Sequence, residues 1–362
     1  MVVGGGPAGC AAAIELARAG RDVVLIDKAR FPRDTCCGDG LTTGALRLLD
    51  DLGLRPAAVA NWQVVDAASV RSPSGRTVEF PLPIDRGQFA AVAPRLELDG
   101  ALVDVARSNG VKVFDGHGLR GVLPSPAGHT VLDVDGLGPV AARYVIGADG
   151  MWSPLRKALG LSSPGYLGEW HAFRQYYDHV DPPAGRRLWV WFEPDLLPGY
   201  AWSFPLPSGR VNIGFGVRRD GIRRIADMKE LWRELVARPH IAAVLGPNAV
   251  PAAPHRAWPI PARIDHSVLA HERALFVGDA ATACDPMTGE GIGQALLTGT
   301  LAAKAIIAAG ALRPVEAAAQ YEAAVAQEWT PDHRMSDALG RALSHERSAR
   351  AAIRLAGLND WT

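Results

Sequence analysis

The hydrophobic positions near the start of the chain predict a β-α-β unit. Residues 2–3 are an apolar strand stub, residues 7–19 carry apolar side chains at helical spacing, and residues 22–26 form a second apolar run. Gly20 lies where the helix would stop, and Asp27 lies at the end of the second run. This order is typical of parallel strands joined by a crossover helix. Because a normal strand has about five residues, we expect the natural protein to begin a few residues earlier.

Two later regions show the alternation of apolar and polar positions that is typical of antiparallel strands. They are residues 68–82, with turn residues at 72–75, and residues 188–217, with turn residues at 207–209. Between them, residues 94–109 carry an apolar face at helical spacing. The pattern therefore predicts an α/β protein in which antiparallel segments interrupt a parallel sheet twice.

The last part of the chain is predicted to be helical. Its most apolar window, residues 291–312, contains Gln294 and Lys304, whereas a bilayer-spanning helix of about 20 residues is normally free of such side chains. We therefore expect a buried helix there. The following residues are rich in alanine and are interrupted by Pro331. The chain ends without a helix stop signal, so we expect truncation at that end as well.

Composition narrows the class of protein. The 362 residues are 48% hydrophobic, with 38 Lys+Arg against 38 Asp+Glu, which excludes a disordered chain and gives no electrostatic reason to bind nucleic acid. The 4 cysteines form no C-x-x-C pair, and the 10 histidines form no metal-like cluster. We therefore expect a cytoplasmic protein in a reducing compartment, with no targeting segment and no metal site.

A glycine-rich loop links the first predicted strand to the first helix. Residues 4–9 fit G-x-G-x-x-G, and Asp27 follows Gly9 by 18 positions. In this setting the pattern is a dinucleotide-binding fingerprint. Gly4 would allow the tight turn, Gly6 would let backbone N–H groups approach a pyrophosphate, and Gly9 would let helix and strand pack closely. Asp27 would accept hydrogen bonds from ribose hydroxyls.

Two more segments end short apolar strands with glycine and aspartate. One is residues 144–150, and the other is residues 274–280, which lead to a glycine-rich stretch at residues 285–293. Each segment places backbone groups and a carboxylate at the carboxyl edge of the sheet. Doubly wound folds bind their ligands at this edge, so we expect both segments to border the nucleotide.

These three segments resemble, in order, the GxGxxG, DG and GD motifs of the p-hydroxybenzoate-hydroxylase-like FAD-binding flavoproteins. Residues 37–41 resemble the CGDGL signature of the geranylgeranyl reductase family, and residues 200–205 resemble its YxWxFP motif. The resemblance runs from residue 2 to residue 312 and rests on five motifs in the same order. It implies an α/β fold with a Rossmann-type FAD-binding domain, an inserted antiparallel β-sheet substrate domain and a helical C-terminal tail.

The resemblance also implies a division of the chain. The FAD-binding domain would be discontinuous, the substrate-binding domain would consist of its two insertions, and the remainder would form C-terminal helices. The FAD-binding domain would comprise residues 1–60, 90–165 and 265–310. The substrate-binding domain would comprise residues 61–89 and 166–264, and the C-terminal helices residues 311–362.

The same resemblance implies FAD as the cofactor and suggests its ligands. Arg95 would lie near the pyrophosphate or ribityl chain, Asp279 would accept hydrogen bonds from the ribityl hydroxyls, and Asp149 would either support the FAD crevice or contact the ligand. Residues 289–291 would open a helix whose positive end stabilises negative charge on the flavin. The full predicted set is Gly4, Gly6, Pro7, Ala8, Gly9, Asp27, Lys28, Arg33, Gly38, Asp39, Gly40, Arg95, Asp149, Gly278, Asp279, Pro286, Gly289, Gly291 and Ile292.

An aromatic set is expected to form the substrate pocket. Tyr200, Trp202 and Phe204 are in phase on one face of a predicted strand, and Trp189 and Trp191 are in phase on its neighbour. One such residue by itself fits an ordinary aromatic core. As a set within and beside the YxWxFP motif, they are interpreted as the wall of an apolar pocket that faces the flavin. Such a wall suits a prenyl chain, since each buried CH2 group contributes about 0.8 kcal/mol.

The activity implied by the resemblance is reduction of carbon–carbon double bonds in a prenyl chain of geranylgeranyl type, carried by a lipid, quinone or diphosphate, through hydride transfer from reduced flavin. Cys37 is expected near the reactive edge of the flavin, for proton transfer or substrate positioning, with an ordinary thiol pKa; simple packing is the alternative. NAD(P)H and ferredoxin are both open as electron donors. The expected partner is an isoprenoid or lipid substrate, with peripheral membrane contact, and the oligomeric state stays open.

A flavin monooxygenase that uses O2 and NAD(P)H is the alternative enzyme, because it shares the FAD fold. A halogenase would need a lysine after the FAD loop, and the chain has none between Lys28 and Lys112, which argues against halogenation. A non-catalytic FAD-binding protein is a third class, which the pocket motif disfavours. Arginines at residues 218–224 and 341–354 are interpreted either as anionic headgroup sites or as solvated faces.

Overall fold

The computed structural model describes residues 1–83, 87–125, 128–181, 185, 187–219 and 225–356 of the chain. Within these residues it has the predicted α/β fold, with one large mainly parallel sheet, one large mainly antiparallel sheet, two three-stranded antiparallel sheets and helices at the C-terminal end. Two predictions concern residues outside these ranges. Arg223 and Arg224 of the first arginine cluster, and the chain end after residue 356, lie outside the described residues.

The described elements are mostly runs of strands separated by single helices or helix pairs, and the last four are helices. The strands are β1 Val2–Val3, β2 Val24–Asp27, β3 Gly40–Thr42, β4 Gln63–Val64, β5 Ala67–Arg71, β6 Thr77–Pro81, β7 Ala90–Val92, β8 Lys112–Asp115, β9 Leu119–Leu123, β10 Thr130–Val134, β11 Gly138–Ala142, β12 Val145–Gly147, β13 Trp170–Asp178, β14 Leu188–Trp191, β15 Tyr200–Leu206, β16 Arg210–Arg218, β17 Val250–Pro251, β18 Arg256–Ile260, β19 Ala270–His271 and β20 Ala274–Phe276. The helices are α1 Pro7–Arg18, α2 Thr43–Asp51, α3 Arg95–Ser108, α4 Pro154–Ala158, α5 Ile225–Val236, α6 Pro239–Leu245, α7 Ile292–Ala309, α8 Pro314–Glu328, α9 Thr330–Leu343 and α10 Glu346–Ala356. The two three-stranded sheets have the strand orders β11-β10-β9 and β3-β7-β4.

The mainly parallel sheet forms around the predicted β-α-β unit. Its strand order is β19-β20-β12-β1-β2-β8, and only β19 and β20 pair in antiparallel orientation. The predicted strand stub is β1, which is buried and pairs with a strand on each side. Because β1, β2 and β12 are parallel neighbours, their carboxyl ends bring Gly4, Asp27 and Ala148 to one edge of the sheet.

The predicted buried helix is α7, and it packs against α1, α2 and α8. Among the residues that the structure describes, α7 is the one helix long and apolar enough to cross a bilayer by length and composition. However, 72% of its apolar window is buried inside the protein. The apolar side chains of α7 therefore belong to the main hydrophobic core, together with those of α1 and the parallel sheet.

The second large sheet is mainly antiparallel, and one of its faces is covered by helices. Its order is β17-β13-β16-β15-β14-β5-β6, with β18 also pairing to β13. Helices α5 and α6 pack on one face, where Trp232 and Leu235 join a cluster with Ile213 and Phe215 of β16. The helices leave the other face of the sheet free for the functional site.

The prediction that Trp189 and Trp191 share a pocket wall with the aromatic residues of β15 is wrong. In the observed register Trp189 is opposite Ser203, and Trp191 is opposite Ala201. Directly opposed residues point to the same side of a sheet, so both tryptophans lie on the opposite side from Trp202. Trp191 is fully buried in the cluster beneath α5 and α6, and Trp189 stacks on it with ring centroids 5.7 Å apart.

Other predicted elements are present. The hairpin predicted at residues 68–82 is β5–β6, the helix predicted at residues 94–109 is α3, and Pro331 lies at the break between α8 and α9. The division into FAD-binding, substrate-binding and C-terminal parts stays a prediction. The two large sheets support it, because each draws its strands from the ranges predicted for one domain.

The close packing of α1 against α7 generates a stability prediction. A Cβ atom at Gly299 of α7 would lie 2.2 Å from the carbonyl oxygen of Ala8, whereas a Cβ atom at Gly100 of α3 would lie 3.6 Å from Pro32, an ordinary contact. Alanine favours a helix over glycine by about 1 kcal/mol, but overpacking costs about 1–3 kcal/mol. We expect Gly299→Ala to lower the midpoint of urea unfolding and the matched control Gly100→Ala to raise it. A higher midpoint for both variants would contradict the tight contact between α1 and α7.

Candidate functional site

A cavity of about 1450 Å³ lies between the carboxyl edge of the parallel sheet and the free face of the antiparallel sheet. Small-molecule sites usually measure roughly 300–1,000 Å³, so this cavity has room for a dinucleotide and a second ligand. Apart from Trp189 and Trp191, which lie on the other face of the sheet, all the predicted cofactor and pocket residues line it except Gly9 and Pro286. The predicted segments are far apart in the sequence, and the fold brings them together in this cavity.

The two exceptions lie just behind the cavity wall. A Cβ atom at Gly9 would lie 1.9 Å from the carbonyl oxygen of Gly4, so glycine lets α1 pack tightly on the loop before it. This contact matches the packing role predicted for Gly9. Pro286 accepts a hydrogen bond at its carbonyl oxygen from Trp170 Nε1 at 2.9 Å, and so fixes an aromatic residue of the cavity wall.

The glycine loop presents its backbone to the cavity. Gly4 has φ 105°, and a Cβ atom there would lie 2.2 Å from the carbonyl oxygen of Ala148. Gly6 is different, because the nearest atoms to its Cβ position are guanidinium nitrogens of Arg33 at 3.6 Å and Arg95 at 4.0 Å. A backbone without a side chain at the start of α1 therefore lies beside two cations, which is the environment that a pyrophosphate requires.

Asp99 holds these two cations in place. Its carboxylate is fully buried and accepts from Nε and Nη2 of Arg95 at 2.7 and 2.9 Å, and also from Nη1 of Arg33. Burial acts to lower the pKa of Arg95, but Asp99 outweighs it and raises that pKa above its usual value. Arg33 Nη2 also lies 3.9 Å from the carboxylate of Asp27, so two carboxylates hold the two guanidiniums beside the start of α1. Sequence reasoning missed Asp99, although its i,i+4 spacing from Arg95 on a predicted helix was a usable signal.

Asp27 orders the glycine loop. One carboxylate oxygen accepts from the backbone N–H of Gly5 at 2.8 Å, and the other accepts from the backbone N–H of Ala29 at 2.8 Å. Each carboxylate oxygen can accept a second hydrogen bond. Asp27 can therefore stabilise the loop and still accept from a ribose hydroxyl, the role predicted for it.

Asp279 offers an acceptor at the other end of the parallel sheet. Among the described contacts its carboxylate has one side-chain donor, the thiol of Cys284 at 3.3 Å. Burial raises the pKa of Asp279 above its ordinary value. Such a group gains from new donors, which the hydroxyls of a ribityl chain would supply. Gly291 lies beside it as the residue before α7, so the N-terminus of that helix also faces the cavity.

Asp149 serves the local structure at the end of β12. Its carboxylate accepts from the backbone N–H of Leu155 at 2.9 Å and so stabilises the start of α4. Arg156, one residue further, donates to the carbonyl oxygen of Ala280 and lies 4.1 Å from the ring centroid of Phe276. These contacts join the DG and GD segments and favour the supporting role for Asp149.

Asp39 is the centre of the CGDGL loop. It has φ 65°, a conformation that is unusual for a residue other than glycine, and its side chain is fully buried. Its carboxylate accepts from Tyr176 Oη at 2.6 Å, Asn212 Nδ2 at 2.7 Å and the backbone N–H of Arg95 at 3.2 Å. Burial raises the pKa of Asp39 to about 6, and the hydrogen bonds oppose this change. Sequence reasoning missed Tyr176 and Asn212.

Cys37 differs from its predicted chemistry. Its Sγ accepts from the backbone N–H of Asp39 at 3.3 Å, and burial raises the pKa of the thiol above its usual value, although the nearby Arg95 acts in the opposite direction. The expectation of an ordinary pKa is wrong because the loop is buried. The thiol is protonated at neutral pH and is a weaker acid than a free cysteine.

The aromatic residues of β15 interlock with the CGDGL loop. A Cβ atom at Gly40 would lie 2.9 Å from the ring of Phe204, and a Cβ atom at Gly38 would lie 3.4 Å from Trp202 Nε1. Trp202 Nε1 donates to Asn212 Oδ1 at 3.3 Å, and Tyr200 donates to the carbonyl oxygen of Thr288. The two glycines therefore let the rings approach the loop closely.

Sequence reasoning missed another part of the cavity wall, which strand β13 provides. Trp170, Ala172 and Arg174 alternate along it and all face the cavity. Arg174 is 2% exposed and pairs through Nη2 with the carboxylate of Asp34, at 2.9 and 2.8 Å to its two oxygens. Only alternate residues of β13 face the cavity, and both faces of the strand are buried. Its sequence therefore gave no local signal of this role.

Three arginines of the two predicted clusters have carboxylate partners among the described residues. Arg218 and Arg341 both pair with Asp337, and Arg350 pairs with Glu346 one helical turn away. Local neutralisation favours the interpretation of these side chains as solvated faces over headgroup sites.

The cavity fits FAD by its chemistry. The bare backbone at Gly6 and the cations Arg33 and Arg95 suit a pyrophosphate, Asp279 suits ribityl hydroxyls, and Asp27 suits a ribose. These groups follow one another along the carboxyl edge of the parallel sheet. The individual roles stay predictions.

Comparison with known proteins agrees with this fit. Residues 1–322 match the family described as "FAD binding domain". The chain is 35% identical over 329 residues to a menaquinone reductase of Mycolicibacterium smegmatis (86% of this chain, 76% of the relative). It is 29% identical over 343 residues to digeranylgeranylglycerophospholipid reductase 1 of Methanopyrus kandleri (92% and 86%). A geranylgeranyl bacteriochlorophyll reductase-like structure from Thermoplasma acidophilum has the same fold, with TM-score 0.83, 22% identity and coverage of 99% and 91%.

The buried Asp39 carboxyl predicts a pH-dependent stability. Its pKa is about 6 in the folded protein against an ordinary 3.8, so the folded state binds this proton more tightly than the unfolded chain. The resulting stabilisation is present at low pH and is lost as the pH rises from about 4 to about 7, by about 3 kcal/mol. Over that range the urea unfolding midpoint of the wild type should therefore fall relative to that of Asp39→Asn. Parallel profiles for the two proteins would contradict the raised pKa.

The acceptor role of Asp279 predicts the flavin content of a variant. Asp279→Ala removes the carboxylate, so ribityl hydroxyls would lose their acceptor; hydrogen bonds to charged groups contribute about 1.5–3 kcal/mol. We expect a roughly tenfold to hundredfold weaker affinity and a low ratio of flavin to protein absorbance after gel filtration. Asp279→Asn keeps an acceptor oxygen and is the matched control. Full flavin content in Asp279→Ala would refute the role.

Proposed function

The chain belongs to the FAD-binding domain family as an FAD-dependent oxidoreductase of the geranylgeranyl reductase family, and on that premise we propose that it saturates a carbon–carbon double bond in the isoprenoid chain of a prenylated quinone. The choice of a quinone is supported by the 35% identity to a menaquinone reductase, against 29% to a glycerophospholipid reductase. Lipids and diphosphates with geranylgeranyl-type chains form the wider substrate class.

The observation that carries the proposal is the apolar wall beside the CGDGL loop. Tyr200, Trp202 and Phe204 line the cavity on β15, and Trp170 and Ala172 line it on β13. Each buried CH2 group of a ligand contributes about 0.8 kcal/mol, so a chain of several isoprene units gains most of its binding energy from such a wall. A small polar substrate would gain little there.

The residues of this chain have distinct proposed tasks. Bound FAD supplies two-electron transfer, and saturation of one double bond takes up two electrons and two protons. Arg33 and Arg95 bind and orient the anionic part of the cofactor, and the aromatic rings exclude water. Cys37 holds a proton at Sγ, where its raised pKa restricts transfer to a carbon that has gained negative charge.

We further propose a cytoplasmic protein that meets its isoprenoid substrate at a membrane surface. The sequence has one G-x-G-x-x-G fingerprint with the full β-α-β context, at residues 4–9. The electron donor would therefore bind transiently, without a Rossmann domain of its own. NAD(P)H and ferredoxin are both compatible with this arrangement.

The proposal is tested by reducing the purified flavoprotein without O2 and mixing it with menaquinone, with geranylgeranyl diphosphate, or with air-saturated buffer. We expect the isoprenoid compounds to reoxidise the flavin. The product should be heavier by two hydrogens after the quinone ring has been reoxidised in air, so that the mass reports on the chain alone. The FAD-depleted Asp279→Ala protein is the control.

Two results would contradict the proposal. One is an unchanged side chain in both isoprenoid compounds. The other is rapid reoxidation by air with oxygen inserted into an aromatic substrate, which would favour the monooxygenase alternative.

A further inference from the structure

Four residues form a row across the cavity face of the antiparallel sheet. Ala172 of β13 is opposite Trp258 of β18 on one side and opposite Gly216 of β16 on the other, and Gly216 is opposite Tyr200 of β15. Directly opposed residues point to the same side of a sheet. All four line the cavity. The middle of this row, Ala172 and Gly216, carries almost no side chain.

A narrow gap lies above Gly216, just wide enough for a Cβ atom in ordinary contact with its neighbours. Its Cβ position is 4.0 Å from Cε3 of Trp170 and 4.0 Å from Cζ3 of Trp202, with no closer atom. Gly214 lies two residues earlier on the same face, but its Cβ position is 2.4 Å from Cζ2 of Trp202, so the indole ring covers it. The gap at Gly216 is therefore a specific feature and not a general property of glycines on β16.

The rings beside the gap are fixed by hydrogen bonds. Trp170 Nε1 donates to the carbonyl oxygen of Pro286 at 2.9 Å, and Trp202 Nε1 donates to Asn212 Oδ1 at 3.3 Å. Both indoles are more than nine-tenths buried. Because their polar atoms are satisfied elsewhere, they present carbon surfaces to the gap.

The two ends of the row differ. Trp258 is 38% exposed, so that end opens toward solvent. At the other end the Tyr200 hydroxyl donates to the carbonyl oxygen of Thr288, close to the glycine-rich segment before α7. In the adjacent row, Arg174 and Arg256 both pair with Asp34, so both guanidiniums are directed to that carboxylate.

We propose that this row is a slot that holds the isoprenoid chain across the sheet, with Ala172 and Gly216 as its floor. The chain enters at Trp258 and brings the reacting double bond toward Tyr200. The inference rests on the proposed function and deepens it by naming the residue that sets which chains fit. A methyl-branched chain makes its best carbon contacts at about 3.5–4.0 Å, and the bare floor leaves that room between the indoles.

Gly216 therefore determines specificity through size alone. Its φ is not positive, so its backbone accepts any L residue, and it lies inside a strand where larger side chains are tolerated. Alanine would place its Cβ in ordinary contact distance of the two indoles. Valine and leucine would extend further and fill the slot.

The test compares Gly216→Ala, Gly216→Val and Gly216→Leu with the matched control Gly121→Val. Gly121 is also in a strand, β9, and no atom lies within 4 Å of its Cβ position. Binding of labelled geranylgeraniol to each holoprotein is measured by equilibrium dialysis, and flavin content by absorbance. We expect near-normal binding for alanine and for the control, and at least a tenfold loss for leucine, about the effect of losing two buried CH2 groups. Flavin content should be unchanged.

The outcomes separate the slot from the proposed reaction. Binding that falls from alanine to leucine supports the slot, and it does so even if wild type fails to reduce the bound chain, which would defeat only the proposed function. Equal binding by Gly216→Leu and Gly121→Val would overturn the slot, as would no binding to wild type. Loss of flavin in Gly216→Leu would assign the space to the cofactor and would also overturn the slot.

Discussion

One buried carboxylate joins the two halves of this protein. Asp39 lies in the loop between them and accepts from the backbone of Arg95, which begins a helix of the parallel half, and from Tyr176 and Asn212 of the antiparallel sheet. A buried carboxylate is stable only when its oxygens are well satisfied, so any movement of one half relative to the other would carry a large cost. The cavity therefore keeps a fixed width, and a ligand held on one wall meets the other at a defined distance.

A second constraint explains how a chain without net charge can hold an anionic cofactor. Asp99 binds both guanidiniums and Asp27 lies 3.9 Å from that of Arg33, so these carboxylates fix the donors of Arg33 and Arg95 beside Gly6 at the start of α1. The helix dipole adds a positive potential at the same place. Because the cluster is mostly buried, salt in the solvent screens it weakly. Local arrangement, and not composition, produces the anion site.

The features that sequence could predict are those encoded locally. The loop at residues 4–9 and helix α1 depend on neighbouring residues, and they were found together with Asp27. Asn212 contacts Asp39 from 173 positions away, so a single polar residue gave no comparable pattern, and only the i,i+4 contact of Asp99 with Arg95 was local, whereas its contact with Arg33 spans 66 positions. The error at Trp191 has the same origin, since long-range strand pairing sets the register and a shift of one residue reverses every side chain.

Strand β15 has two different faces along the same stretch of chain. Tyr200, Trp202 and Phe204 border the cavity, while Ala201 and Ser203 are buried on the side covered by helices α5 and α6. One strand therefore carries two separate duties with a period of two. A change at an even-numbered position alters the cavity and the loop that its ring packs against, whereas a change at an odd-numbered position alters the packing beneath the helices.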